Sequence, residues 1–375
     1  MVTIEKVDTA NKAQVNRFVQ FHYDLYQSCL QWVPPILSDV KMMLNPKKHP
    51  YFEHSVGEFY LATRDGKDVG RLAVHENRPF NAFHGTHEAN FYLFDAIDDQ
   101  EVASALFGCA FDWAKDRGLD RIVGPKGFSA FDGYGIQIEG TNHRQMMNMM
   151  NYNYDYYPHL VENLGFTKEV DFVSCYLKSE NFQLPERVKL IAQKVQDRGT
   201  FTVINFKNKR QLISMAKKIG EAYNNTFINN WEYYPLTERE IKFVVDTLLN
   251  VADPRLFKIM THQDKVVGFL LGFPDISAAM QRAKGHLNPI SMIDLLREMN
   301  RTDWVALNGA GMLPEYHGRG GNALLYSEME NTIKTYNFKH AELTQVAESA
   351  VQMRHDLENV GGQAYKNHRV YQRAI

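Results

Sequence analysis

Asn308-Gly-Ala-Gly-Met-Leu-Pro-Glu-Tyr-His-Gly-Arg-Gly-Gly-Asn-Ala-Leu-Leu325 passes from a strand, through Pro314, into a glycine-rich turn and on into an amphipathic helix. Gly318, Gly320 and Gly321 let the backbone take positive φ and approach a ligand, because no Cβ stands in the way. The first amides of the following helix have no partner inside it and lie at the positive end of its dipole. The turn therefore reads as an anion site suited to a pyrophosphate, with Arg319 as a fixed positive charge beside it. The Walker pattern GxxxxGK[ST] and the dinucleotide pattern GxGxxG are both absent. Gly309 and Gly311 lie inside the preceding strand, where glycine marks a bulge or a close backbone approach.

Working outward, the chain repeats itself. Gly57-Glu-Phe-Tyr-Leu-Ala-Thr-Arg-Asp-Gly-Lys-Asp-Val-Gly-Arg-Leu-Ala-Val74 reads as strand, polar turn, strand, and residues 255–272 read the same way. Thr63, Val69 and Gly70 match Thr261, Val267 and Gly268 at one constant spacing. His159-Leu-Val-Glu-Asn-Leu-Gly165 is echoed by His355-Asp-Leu-Glu-Asn-Val-Gly361. Two motifs in one order argue for an internal duplication. The expected fold class is α/β (α+β), with two tandem domains, each a mixed, mainly antiparallel central sheet flanked by helices. The expected boundaries are residues 1–184, a helical joint over 185–199, and residues 200–375. Periodicity predicts a first half of strand Val2–Val7, helix Lys12–Tyr26, the hairpin, strand Asn90–Ala96, a helix from Asp98 to Asp116 and strand Asp120–Val123. The second half is predicted as strand Phe201–Phe206, helices Lys209–Tyr223 and Glu238–Asn250, and the hairpin. Strand Trp304–Met312, helix Asn322–Tyr336, strand His340–Val346, helix Ala350–Asn359 and strand Ala364–Gln372 complete it. Insertions distinguish the halves: an extra helix over Pro289–Arg301 in the second, and a long aromatic loop over Phe128–Tyr157 in the first.

Strand, Pro314-Glu315-Tyr316, glycine-rich turn and helix together resemble the acetyl-CoA loop of the GNAT acyltransferases, whose pattern is Q/R-x-x-G-x-G/A. His317 stands at the Q/R position, Gly320 at the first Gly and Asn322 at the final Gly/Ala. The order of elements over most of residues 200–375 resembles that family too. In the first half, Asn81-Ala-Phe-His84, Phe91, Phe94, Asp98–Val102 and Gly124-Pro125 resemble a bacterial tandem-GNAT family. The resemblance implies acetyl-CoA or another acyl-CoA as cosubstrate, held by Met312, Leu313, His317, Gly318, Arg319, Gly320, Gly321, Asn322 and Ala323. Met312 and Leu313 would meet the pantetheine arm through their backbone. It implies acyl transfer, acetyl in the simplest case, to an amine of a small molecule or peptide, directly within a ternary complex. The family's usual general acid, a Tyr four residues before the Gly ending the helix after the fifth strand, is absent. Leu357 and Val161 stand there, so no catalytic residue is assigned, although Glu348, His317 and His355 are candidate bases.

The first half has no such turn. Asp95, Asp98 and Asp99 occupy the corresponding stretch and would repel a pyrophosphate, so this copy is expected not to bind CoA. Its insertion exceeds the roughly 12–15 residues common for structureless connections. Aromatic faces with hydroxyl tips suit a partly polar ligand, so Phe131, Tyr134, Tyr154 and Tyr156 are expected to line the acceptor site. The same loop holds Met146, Met147, Met149 and Met150.

Composition bounds the rest. A chain of 375 residues suits two domains of roughly 100–200 residues each. A formal net charge of -2 gives no basic footprint for nucleic acid. It also counts against the alternative of a tandem aminoacyl transferase using charged tRNA. A non-catalytic CoA or metabolite-binding module is the other alternative. Cys29, Cys109 and Cys175 lie far apart, with no CxxC pair, so neither disulfides nor a metal are expected. All three fall in the first half, away from the proposed thioester. No apolar leader follows Met1 and no apolar run reaches the ~18 residues of a membrane span. The expected setting is the cytoplasm, with no membrane or nucleic-acid partner.

Overall fold

The computed structural model describes every residue except 130, 147–149, 181 and 229, and the side chains of 345 and 352. Met147 and Met149 thus lie outside the described residues. In chain order the elements are β1 (Thr3–Lys6), α1 (Lys12–Tyr26), α2 (Leu37–Met43), β2 (Val56–Arg64), β3 (Lys67–Glu76), α3 (Arg78–His84), β4 (Glu88–Ala96) and α4 (Gln100–Lys115). Next come β5 (Arg121–Gly124), β6 (Ile136–Glu139), α5 (Tyr157–Glu162), β7 (Thr167–Lys178), α6 (Glu186–Arg198), β8 (Thr202–Ile204), α7 (Lys209–Thr226), α8 (Glu238–Val251), β9 (Phe257–His262) and β10 (Lys265–Pro274). The chain continues through α9 (Ser277–Ala283), α10 (Pro289–Arg301), β11 (Trp304–Met312), α11 (Gly321–Thr335), β12 (His340–Ala347), α12 (Val351–Asn359) and β13 (Gln363–Ala374).

These elements cluster into two compact units. The first holds residues 1–172, 277–296 and 366–375; the second holds 173–276 and 297–365. The excursions have visible causes. In the first unit Tyr371 to Ala374 of β13 pair antiparallel with Gly124 to Arg121 of β5. Gln281 Nε2 donates to the carbonyls of Leu30 and Trp32, 2.8 Å each, and the Leu37 amide donates to Gly285 O at 2.9 Å.

The duplication shows in each unit's own sheet. In the first, β1, β2, β3 and β4 run antiparallel in that order, and β4 pairs parallel with β5. In the second, β8, β9, β10 and β11 run antiparallel, and β11 pairs parallel with β12. The two matching glycines sit at equivalent rungs: Gly70 faces Ala96 at the end of β4, and Gly268 faces Met312 at the end of β11. A Cβ on Gly70 would fall 2.7 Å from Val102 Cγ1, and one on Gly268 would fall 3.0 Å from Met260 Cε. Helix starts follow their capping residues. Asn11 caps α1 through the amides of Ala13 and Gln14, and Thr237 and Glu240 form a capping box at α8.

A charged network is buried in the first core. Arg71 donates from Nε to Asp95 Oδ2 at 2.7 Å and from Nη1 to Phe18 O at 3.2 Å. Trp32 Nε1 donates to His22 Nε2 at 3.2 Å. The proton of that neutral ring therefore sits on Nδ1, which lies 2.8 Å from Asp95 Oδ2 and donates to it. Tyr157 donates to Asp95 Oδ1 at 3.2 Å and receives from Tyr26 at 2.9 Å. Burial opposes charge on Asp95, yet His22 and Arg71 outweigh it and hold the carboxyl below its usual range. Burial likewise holds His22 below its usual value.

Arg71→Met would leave the Asp95 carboxylate in the core without its cation. It should lower the unfolding free energy at neutral pH by about 3–5 kcal/mol. A depressed carboxyl pKa contributes stability above the unfolded pKa and loses it as pH falls. The deficit of the variant should therefore narrow as Asp95 is protonated. Urea unfolding of both proteins across pH 3.8, the ordinary Asp value, to neutrality checks this; a pH-independent deficit contradicts it.

Candidate functional site

The parallel pair in the second unit stops early. β11 and β12 are in register only from Trp304 opposite His340 to Leu307 opposite Leu343. Beyond that rung β11 continues to Met312 along β10 alone. A register shift between Leu270 and Gly272 marks the bulge, and Gly309 supplies it with φ +103°. The strands therefore part after residue 307. Leu313 and the turn Pro314–Tyr316 then lead to Gly320, which opens α11 with φ +83° and no side-chain cap. A helix opened by glycine leaves its first amides without a side-chain acceptor.

The parting exposes an apolar cavity of about 260 Å³. Its floor is Leu270, Leu307 and Leu343; its walls include Ala323 and Tyr326 of α11, Leu357 of α12 and Val188 of α6. Leu307 and Leu343 face each other on the last rung, so the cavity reaches the point where the strands separate. One residue further on, Asn308 and Thr344 are buried, and Asn308 Nδ2 and Thr344 Oγ1 find no hydrogen-bond partner. They follow Leu307 and Leu343 directly, so they point to the other side of their strands, and a buried polar group left unpaired costs about 1–3 kcal/mol.

Tyr326 was not singled out by the sequence. Its hydroxyl reaches Met353 Sδ on α12 at 3.8 Å. Burial, reinforced by Asp356, pushes its pKa up to about 12, so it keeps its proton at neutral pH. Leu357, at the position where the family carries its tyrosine, lines the same cavity from the opposite helix. A sequence signal existed: Tyr326 lies on the first two turns of the helix that follows the glycine turn.

The expected CoA residues are contiguous in space as in sequence, with particular engagements. His317 Nε2 donates to Met312 O at 2.8 Å, and Leu313 N donates to Val267 O at 2.9 Å. Arg319 lies over the Tyr316 ring at 5.2 Å. Asn322 and Ala323 line the cavity. The glycines serve different ends. A Cβ on Gly320 would fall 2.8 Å from both Ile191 Cγ2 and Val195 Cγ2 of α6, and one on Gly321 would fall 2.6 Å from Met260 Cε. Packing accounts for these two. Only Gly318, at φ +71°, faces open space, and there close approach by a ligand remains a reason for glycine.

The first unit parts its strands in the same way. β4 and β5 are in register only from Glu88 opposite Arg121 to Asn90 opposite Val123. Here the chain itself fills the gap. Lys126 N donates to Phe91 O at 2.9 Å, Gly133 N donates to Tyr92 Oη at 3.1 Å, and Phe128 stacks on Tyr51 at 4.5 Å. Tyr156 donates to Ala96 O at 2.7 Å, and Ala96 N donates to Tyr157 Oη at 3.2 Å. The α4 terminus is closed as well: Asp99 accepts from the amides of Glu101 and Val102 and pairs with Arg64 at 2.6 Å. Of the other aromatic residues expected at an acceptor site, Tyr154 stacks on Tyr26 and donates to Leu25 O at 3.1 Å. Tyr134 is buried against Phe172, and Phe131 is half-buried, its amide on Ser129 Oγ at 3.2 Å. Cys175 departs from expectation: it clusters in the second unit with Val346 and Leu357. The reason is that β7 runs past Phe172 into that unit. Burial pushes its thiol pKa up, which disfavours the nucleophilic thiolate.

Two units of this strand topology, each with a parallel pair that parts beside the start of a helix, have the fold of the GNAT N-acyltransferases in tandem. A solved tandem GNAT protein from the clavulanic acid biosynthesis pathway aligns with TM-score 0.57 at 10% identity, covering 100% of this chain and 98% of that one. A GCN5-related glucosamine N-acetyltransferase region of a fungal multi-domain β-N-acetylglucosaminidase aligns with TM-score 0.58 at 11% identity, covering 100% of this chain and 38% of that one. In sequence, the chain is 27% identical to the bacterial ceramide synthase of Caulobacter vibrioides, across 97% of this chain and 95% of that protein. It is 26% identical to Protein YghO of Escherichia coli K12, across 97% and 94%. No family model matches the chain. The fold and these likenesses support acyltransferase-type activity.

The glycine turn offers a direct test of its two reasons. Gly318→Ala should cost only the left-handed strain, about 1–2 kcal/mol. Gly320→Ala adds contact with α6 and should cost distinctly more. Chemical unfolding of the two variants measures the difference, and equal losses would contradict the packing role of Gly320.

Proposed function

We propose that this chain is an acyl-CoA-dependent N-acyltransferase whose working site lies in the second unit, and that the acyl group and its amine acceptor are both long and apolar. The observation that carries the reading is the apolar cavity opening at the parted strands β11 and β12, beside the glycine turn. An engineered apolar cavity of 150 Å³ already holds benzene; this one measures about 260 Å³, far more than an acetyl group requires. The relative named bacterial ceramide synthase makes, by that name, an amide between a fatty acyl group and a long-chain amino alcohol. The same class of amide is the product proposed here.

In this reading the amides of Gly318, Arg319, Gly321 and Asn322, with the Arg319 guanidinium, hold the pyrophosphate. Leu270, Leu307, Leu343 and Leu357 take up the acyl chain. The amine nitrogen attacks the thioester carbon, the C–N bond forms and the C–S bond breaks. The nitrogen gives up a proton to water, the departing thiolate takes one from the Tyr326 hydroxyl, and the tyrosinate regains its proton from solvent, so the step is proton-neutral. Tyr326 thus supplies from α11 the acid that Leu357 cannot supply from α12. The first unit binds no CoA, since Tyr156, Tyr157 and Asp99 occupy the equivalent places.

Calorimetry with a series of acyl-CoA thioesters tests the binding half. Each buried methylene is worth about 0.8 kcal/mol, so affinity should rise by more than tenfold from acetyl to octanoyl. Leu307→Trp, which fills the cavity, should abolish that gain and leave acetyl-CoA binding nearly unchanged. Turnover with a long-chain amino alcohol, followed as amide product by mass spectrometry, tests the chemistry. Tyr326→Phe should lower kcat by about a hundredfold with KM little changed. Failure to bind any acyl-CoA would overturn the proposal.

A further inference from the structure

The insertion over residues 277–301 has an unusual exterior. α9 is its anchor: Ser277, Ala279 and Met280 are buried in the first unit, and Gln281 grips the loop at Leu30 and Trp32. α10 then buries only Ser291 and Leu295. The face it leaves to solvent is aliphatic, with Ile290 80%, Ile293 51% and Leu296 55% exposed. These positions recur at intervals of three and share one side of a helix. Leu287 just before the helix is 42% exposed, and Leu30, on the gripped loop, is 83% exposed. Soluble helices turn polar residues outward; of the aliphatic residues Ile290, Ile293, Leu295 and Leu296, this one turns all but Leu295 outward.

We infer that this face, Leu30 with Leu287, Ile290, Ile293 and Leu296, docks on an anionic lipid bilayer. Two observations select a bilayer over a second protein surface. Charge is the first: Lys284, Arg297 and Arg301 are exposed on the same helix and its lead-in, Arg282 is paired with Asp294, and the segment carries more basic than acidic residues. Aliphatic residues beside exposed cations are the pattern of an interfacial helix, whose apolar side sinks roughly 5–10 Å into the headgroup boundary while cations meet lipid phosphates. Composition is the second: protein interfaces enrich aromatic residues at their centres, and the exposed apolar residues of α10, Ile290, Met292, Ile293 and Leu296, include no aromatic one. No helix among the described residues is long and apolar enough to cross a membrane, so the contact is peripheral. It is independent of the acyl-transfer reading. It also revises the sequence expectation of no membrane partner, which rested on the lack of a span.

The full chain is floated with vesicles of phosphatidylcholine alone and of equimolar phosphatidylcholine and phosphatidylglycerol, at low and raised salt. Binding to the anionic vesicles, weakened by salt, is expected. The double variant Ile290→Gln, Ile293→Gln should bind at least tenfold more weakly with an unchanged Tm, since both positions are exposed. Lys284→Gln with Arg297→Gln should remove most of the salt dependence. Absence of wild-type binding, or equal binding by the Ile290, Ile293 variant, overturns the inference. So does light scattering that shows a wild-type dimer converted to monomer by that variant, which would assign the face to a second copy.

Discussion

A parallel strand pair that ends early sets the terms for each unit. β11 leaves β12 after Leu307, and β4 leaves β5 after Asn90. Each parting strips neighbours from a stretch of strand inside the protein, where backbone groups and side chains still require partners. The first unit answers with its own chain. Lys126 meets Phe91, Tyr156 and Tyr157 meet Ala96, and Asp99 seals the helix that follows. The second unit answers only in part. His317 takes Met312 O, while Asn308 and Thr344 keep unpaired atoms and an apolar cavity persists. The same gap is a packed core in one unit and borders an apolar cavity in the other.

The plug in the first unit explains its chemistry of aromatic residues. Tyr26, Tyr154, Tyr156 and Tyr157 stack on one another and pass hydroxyl hydrogen bonds toward Asp95 and the β4 backbone. Phenylalanine would fill the same volume without satisfying Ala96 or the carboxylate. The hydroxyls are therefore structural partners, and Arg71 supplies the counter-charge that lets an ionised Asp95 stay in the core. Specificity of packing rests here on polar atoms as much as on apolar area.

Much of this was legible in the residues. Gly70 and Gly268 announced equivalent rungs because a strand glycine usually marks close approach. Glycine and proline around residues 309–321 located the turn, and periodicity located most helices. Less legible was the reason for each glycine: Gly320 and Gly321 face α6 and Met260, contacts that no local pattern encodes. Tyr326 escaped notice because its contact with Met353 depends on α12 lying across from α11. The sequence loop of tyrosines could be read as a pocket lining, since aromatic rings with hydroxyl tips suit a ligand and a core alike; Leu25 O and Ala96 O show where two of those hydroxyls are spent. Which sheet a strand joins is likewise not written in its own alternation, as β13 illustrates.

The placement of β13 has a consequence for how the chain is made. Residues 366–375 complete the sheet of the first unit along β5, yet they are translated after every residue of the second. A ribosome that has finished the first 172 residues has therefore released a unit with one sheet edge still bare. Such an edge is a template for wrong pairing, and it stays open while two hundred further residues are synthesised, for roughly 10–40 s at about 5–20 residues per second. Assembly of this protein cannot proceed strictly from its beginning to its end: the oldest half waits for the youngest strand.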